Sequence, residues 1–91
     1  MGTKKVGYNK SGIDKLPDDK SVLYRIKTKG GNDNYVGVAR RGHVQERVTE
    51  HLGEIPGAKV LIEQFSTIAE ARAKEANVIK RQQPKYNKQG E

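Results

Sequence analysis

The chain has 91 residues, with 18 Lys and Arg against 11 Asp and Glu for a net charge of +7, and no cysteine. That length supports one domain with a modest core, and the missing thiols exclude a disulfide framework and a cysteine-based zinc site. Its apolar runs fall far short of a signal-peptide core or a membrane span, so the sequence reads as soluble and cytoplasmic, nucleoid-associated if bacterial, with no membrane partner.

Residues 1–20 mix Gly, Asn, Ser, Lys and Asp with scattered apolar residues, and Pro17 breaks the chain. They read as a flexible arm with little structure of its own, leaving 21–91 as the domain. From Val22 the texture changes. VLYRIK places Val22, Tyr24 and Ile26 on one face and Leu23, Arg25 and Lys27 on the other, which is strand periodicity. A second short strand, YVGV, follows GGNDN, whose residues tolerate positive φ, so the two strands form a hairpin with a loop longer than two residues. Gly37 shares the face of Tyr35 and leaves the sheet bare there, a place where another group can approach closely. Tyr24 and Tyr35 on paired strands have a plain structural reading as cross-strand neighbours.

HVQERVTEHL, 43–52, then winds as a helix with Val44, Val48 and Leu52 on one side, and Gly53 and Pro56 stop it. Arg47 and His51 fall on the same stripe. Each has an ordinary explanation, Arg47 as a packing arginine with an exposed head and His51 as a cation at the negative end of the helix dipole. Their joint position predicts something more, because both heads aim at the protein and an anion there would satisfy them.

KVLIEQF reads as a third strand. Thr67 and Glu70 make a capping box for a second helix, IAEARAKEANVIKRQ, which Pro84 ends. On this helix Ile68, Ala71, Val78 and Ile79 cluster, and Glu75 falls between Ala71 and Ile79. A carboxylate at that position is costly unless something satisfies it. Two readings stay open: an ion pair with Arg72 or Arg47, or a wet cleft where Glu75 holds a divalent cation. The predicted fold is α+β, a small three-stranded, mostly antiparallel sheet flanked by helices, in the order β-β-α-β-α.

Residues 22–47 carry six basic side chains against two acidic ones, and 80–91 carry four against one. Two basic regions flanking a mildly acidic middle are the electrostatic footprint of a phosphate-backbone partner. Lys27, Lys29, Arg40, Arg41 and Lys85 are the candidate contacts with DNA. Other chemistries lack their parts. The glycines of KGGND do not lead into a phosphate loop, no second carboxylate stands at metal-ligand spacing beside Glu75, and Ser66 is explained by its place before a helix.

These residues line up with a known family. VLY at 22–24 and YVG at 35–37 resemble the paired motifs of the GIY-YIG nucleases. A helix with Arg-x-x-x-His follows, as Arg47 and His51. EARAKEANVIKRQQPKYN then resembles the family's Glu-Ala, metal-binding Glu, Ile-Lys and Pro-x-Tyr-Asn run, with that glutamate at Glu75 and the terminal asparagine at Asn87. The spacing from Glu70 to Asn87 is most similar to the nuclease domain at the amino end of the excinuclease incision subunit, whereas Arg-x-x-x-His is more like homing and restriction members. The match spans 22–88. It departs in two places: Val22 replaces the first glycine, and about two extra residues stand between Gly37 and Arg47.

The resemblance implies hydrolysis of DNA phosphodiesters. It implies Mg²⁺ or Mn²⁺ on Glu75 and Tyr24 as general base or relay. Arg47 would clamp phosphate, Tyr35 and His51 would position water or phosphate, and Asn87 would hold the site. The alternative is a nucleic-acid-binding module of the same fold that cuts weakly or not at all alone and depends on a partner for specificity. A transient dimer on the substrate would serve double-strand cleavage.

Overall fold

In the computed structural model the described residues are 3–82. Seven elements follow one another: β1 Thr3–Gly7, α1 Lys10–Ile13, β2 Ser21–Lys27, β3 Asp33–Ala39, α2 Val44–Glu50, β4 Lys59–Phe65 and α3 Ile68–Gln82. The four strands form one sheet in the order β1-β4-β2-β3, with every neighbouring pair antiparallel. Among these residues no helix is long and apolar enough to cross a membrane.

Side-chain alternation divides the sheet into two apolar faces. Val22, Tyr24 and Ile26 of β2 and Val60 and Ile62 of β4 join Val44 and Val48 of α2, together with Ile13, Leu16 and Ile55, in the larger core. Leu23 and Val36 point the other way and meet Val78 of α3, with Phe65 and Ile79 beside them. α2 and α3 therefore lie on opposite faces, and β3, at the edge of the sheet, is the strand around which they can meet.

The sheet has four strands where the sequence predicts three, because residues 3–20 are not a structureless arm. β1 pairs with β4 in the register Thr3 with Glu63 through Gly7 with Lys59. Asn9 caps the short α1 by accepting from the Gly12 N–H at 2.7 Å. Ile13 and Leu16 then bury fully in the larger core, and Val6 and Tyr8 pack against it. These apolar residues are too sparse to show a period, yet each finds its place once β4 supplies a partner strand.

The same segment fixes α2. Its N-terminus is capped from a distance: an Asp18 carboxylate oxygen accepts from the Val44 N–H at 2.7 Å and the Gln45 N–H at 3.3 Å. The Gln45 amide donates to the Leu16 carbonyl at 2.7 Å. His43, the local N-cap, makes no capping bond with its side chain. The helix ends at Glu50, earlier than predicted, so His51 is its C-cap, and Gly53 takes the positive φ of 88° that turns the chain away. α3 matches its predicted span, with the Thr67 hydroxyl accepting from the Glu70 N–H at 3.2 Å.

Gly37 stands opposite Tyr24 in the β2–β3 register. A Cβ on it would lie 2.7 Å from Tyr24 Cζ and Oη and 2.9 Å from Tyr35 Cε2, so the two rings occupy the space a side chain would need.

Two stability measurements follow from these contacts. Asp18→Ala removes the cap of α2 and lowers unfolding stability by about 0.5–2 kcal/mol in urea titration, while His43→Ala, which removes no cap, leaves it nearly unchanged. Gly37→Ala forces the buried Tyr24 ring and the partly buried Tyr35 ring aside and costs about 1–3 kcal/mol; a neutral result would mean that the rings yield freely.

Candidate active site

Tyr24 comes from the middle of β2, with no exposed surface. Its Oη lies 2.8 Å from Nε2 of His51, at the C-terminal end of α2. Tyr35 of β3 completes an aromatic trio, its ring centroid 6.0 Å from that of Tyr24 and 4.6 Å from that of His51. Bare backbone at Gly37 lets the two phenols crowd together. His51 is held from behind as well, since the Tyr8 hydroxyl donates to the His51 carbonyl at 2.6 Å. Burial, reinforced by the negative charge of Glu54, pushes the Tyr8 phenol up to about 12, so it stays a donor across the working pH range.

Electrostatics ties these groups to Arg47 and Glu75. Burial pushes the Tyr24 phenol above its ordinary range and Tyr35 adds to this, while the charge and hydrogen bond of Arg47 oppose it. The His51 imidazole is held below its usual value, first by desolvation and then by the Arg47 charge, against the smaller pull of Glu54 and Glu50. Glu75 is half-buried, and desolvation raises its carboxyl above the ordinary value although Arg72 and Arg47 both pull it down. One guanidinium thus acts on a phenol of β2, an imidazole at the end of α2 and a carboxylate of α3. The site forms where α2 and α3 reach around the edge strand.

Arg47 is exposed as a residue, yet its guanidinium reaches inward as far as the buried Tyr24 phenol, whose pKa its charge and hydrogen bond lower. It lines a cleft of ≈ 380 Å³ between α2 and the start of α3, facing Arg40 and Arg72 across the end of β3. The helical wheel gives the direction of a side chain but not its depth, and Arg47 stands at the rim of a seven-residue helix whose buried positions are Val44 and Val48. Of the two readings left open for Glu75, the ion pair is not formed: among the described residues its carboxylate has no salt-bridge partner. Arg72, read from the sequence as a possible partner of Glu75, instead lines the cleft with Arg47.

The remaining candidates divide. Arg40 and Arg41 are exposed just beyond β3, and Lys29 is exposed in the hairpin loop. Lys27 is not a free cation, because its ammonium pairs with Asp33 at 2.7 Å across the hairpin, with Arg25 at 3.8 Å from the same carboxylate. Asn87 and Lys85, and with them Pro84, lie outside the described residues. Tyr8 and Asp18, which position His51 and α2, were missed because their partners are distant in sequence. The lone aromatic in a polar stretch was the visible hint for Tyr8.

No family model matches the sequence, and no curated protein does. Solved structures do. The GIY-YIG N-terminal endonuclease domain of UvrC from Thermotoga maritima, bound to its catalytic divalent cation, magnesium, is 28% identical with a TM-score of 0.68, over 85% of this chain and 92% of that one. A point mutant of that domain at an asparagine is 27% identical, with a TM-score of 0.67 over 84% and 90%. Another, at a tyrosine, is 28% identical, with a TM-score of 0.66 over 85% and 91%. Both are also bound to the divalent cation. The likeness carried by the motifs and the likeness of the folded chain point the same way: the protein has the fold of the GIY-YIG nuclease domains.

Proposed function

We propose that the protein is a Mg²⁺-dependent endonuclease that hydrolyses DNA phosphodiester bonds. The observation that carries this reading is the hydrogen bond of 2.8 Å between the buried Tyr24 phenol and His51, packed under Tyr35 and within the field of the exposed Arg47, in a fold whose solved examples hold a catalytic divalent cation.

The residues present fit such an ion. Glu75 is a half-buried carboxylate whose charge two neighbouring guanidinia do not fully compensate, and a divalent cation supplies the missing counter-charge. Among the described residues no three acids or histidines gather to cage a metal. A single carboxylate suits Mg²⁺, which keeps most of its waters. Bound there, it would neutralise charge developing on the phosphate and the leaving oxygen.

The protein's own groups supply the rest. Arg47, exposed at the cleft wall, clamps a non-bridging phosphate oxygen with its forked donors. Tyr24 is a relay. Its raised pKa keeps it a phenol at neutral pH, so it takes the proton of the attacking water only while passing its own to His51 Nε2 at 2.8 Å, and because it has no exposed surface in the free protein the bound substrate must open a path to its hydroxyl. His51 is neutral at that pH and able to accept, provided that its own proton sits on Nδ1. The new bond is phosphorus to water oxygen. The ester bond to the departing strand breaks, and the leaving oxygen takes a proton from solvent. Tyr35, packed on the His51 ring, holds the imidazole in line.

Supercoiled plasmid nicking in Mg²⁺, stopped by EDTA and lost in Glu75→Ala, is the expected outcome; equal cutting by the variant would remove Glu75 from the metal. A second readout needs no cleavage. Because the folded-state pKa of Glu75 is raised, its ionisation costs stability at neutral pH. Glu75→Gln therefore raises Tm in EDTA, while added Mg²⁺ raises Tm in the wild type and not in the variant.

The pH profile tests the relay. His51 must be neutral to accept a proton, and in the free protein its pKa is held below the ordinary imidazole value of 6.5, so kcat/KM, which reports the free enzyme, should fall about tenfold per unit on the acid side of a midpoint below 6.5. An acid limb centred at or above 6.5 would rule His51 out as the acceptor.

A further inference from the structure

A second cavity, of ≈ 570 Å³, opens at the amino end of α3 and is lined by Lys20, Ser21, Arg40, Arg41, Ser66 and Thr67, with Asp19 and Ile68 completing it. It shares Arg40 and Ile68 with the cleft that Arg47 lines. Three cations face it against one carboxylate. Among the described residues none of Lys20, Arg40 and Arg41 forms an ion pair. The Asp19 carboxylate is engaged, accepting from the Gln64 amide at 3.2 Å.

Two further features make this a built site rather than a charged patch. Ser21 is only 8% exposed and lines the cavity, yet among the described residues its hydroxyl makes no hydrogen bond. By alternation along β2 it points with Leu23 to the face that carries α3. Its hydroxyl is therefore free to donate to an acceptor that enters the cavity. The other feature is the start of the 15-residue α3. Its Thr67 cap engages the Glu70 N–H, so the Ile68 and Ala69 N–H groups at the positive end of the dipole remain to meet an anion.

We infer that this cavity is a second phosphate seat, in which Lys20, Arg41, the Ser21 hydroxyl and the amino end of α3 hold a backbone phosphate of the DNA strand leaving the catalytic cleft, with Arg40 bridging the two. The inference rests on the nuclease reading for the identity of the ligand. It adds to that reading a track along the edge of the sheet, from Arg47 and Arg72 past Arg40 to the start of α3. Recognition of this kind fixes the strand's register without reading bases.

The test is binding in EDTA, where no cutting occurs. A short labelled duplex without terminal phosphates is titrated by fluorescence anisotropy over a range of salt, using wild type and Lys20→Gln/Arg41→Gln. Both positions are exposed, so the variant keeps the fold. The expected result is a salt slope lower by about one to two units and affinity reduced roughly tenfold at moderate salt, with equal loss on unrelated sequences. Duplex should also shift the Ile68 and Ala69 amide resonances in the wild type. An unchanged slope overturns the inference. So does saturation of those shifts by low-millimolar inorganic phosphate with duplex affinity unaffected in the variant, since the cavity would then serve a free phosphate. If the slope falls as expected but Mg²⁺ never produces cutting, the seat stands and the nuclease reading fails; Glu75-dependent cutting with an unchanged slope is the converse.

Discussion

The site depends on one hydrogen bond, between the buried phenol of Tyr24 and Nε2 of His51 at 2.8 Å. A phenol with no exposed surface needs a partner for its hydroxyl, and the imidazole is that partner only if the end of α2 is held against the sheet. Three devices hold it. Gly37 leaves room for the Tyr24 ring at the β2–β3 register. Asp18 and Gln45 tie the start of α2 to the segment before β2. Tyr8 binds the carbonyl of His51 itself. The seven-residue α2 is too short to be stable alone, so its position is set by these tertiary contacts rather than by its helical propensity.

This dependence explains which parts of the molecule were legible in the sequence. β2, β4 and α3 declare themselves locally: VLYRIK alternates, KVLIEQF is rich in β-branched and aromatic residues, and the Thr67 box marks the start of α3. The paired motifs and Glu75 each sit inside one such element, so their order could be read without knowing how the elements pack. β1 could not, because its strand character comes from pairing with β4 across the whole domain. Neither could the depth of Arg47 or the engagement of Lys27 with Asp33, since both are settled by neighbours and not by periodicity. The segment that looked least structured proves to be the one that positions α2, and it does so with single residues, Tyr8, Leu16 and Asp18, whose partners lie at least 26 residues further on.

Arg47 gives the site its sense of direction. Its charge adds to desolvation in holding the His51 pKa down, restrains the rise of the Tyr24 pKa and offsets part of the desolvation of Glu75. On the proposed reading, a phosphate that enters the cleft pairs with this guanidinium and cancels much of its field at the imidazole. The second largest influence lowering the His51 pKa is then withdrawn, and the ring becomes a stronger base once the substrate is in place. Desolvation of His51 acts the other way as DNA covers the cleft, but the ring is already half-buried and has less solvent left to lose than Arg47 has charge to neutralise. An exposed arginine at the rim of a short helix can therefore link occupation of the site to the basicity of a group behind it, which a fully buried arginine, out of reach of phosphate, could not do.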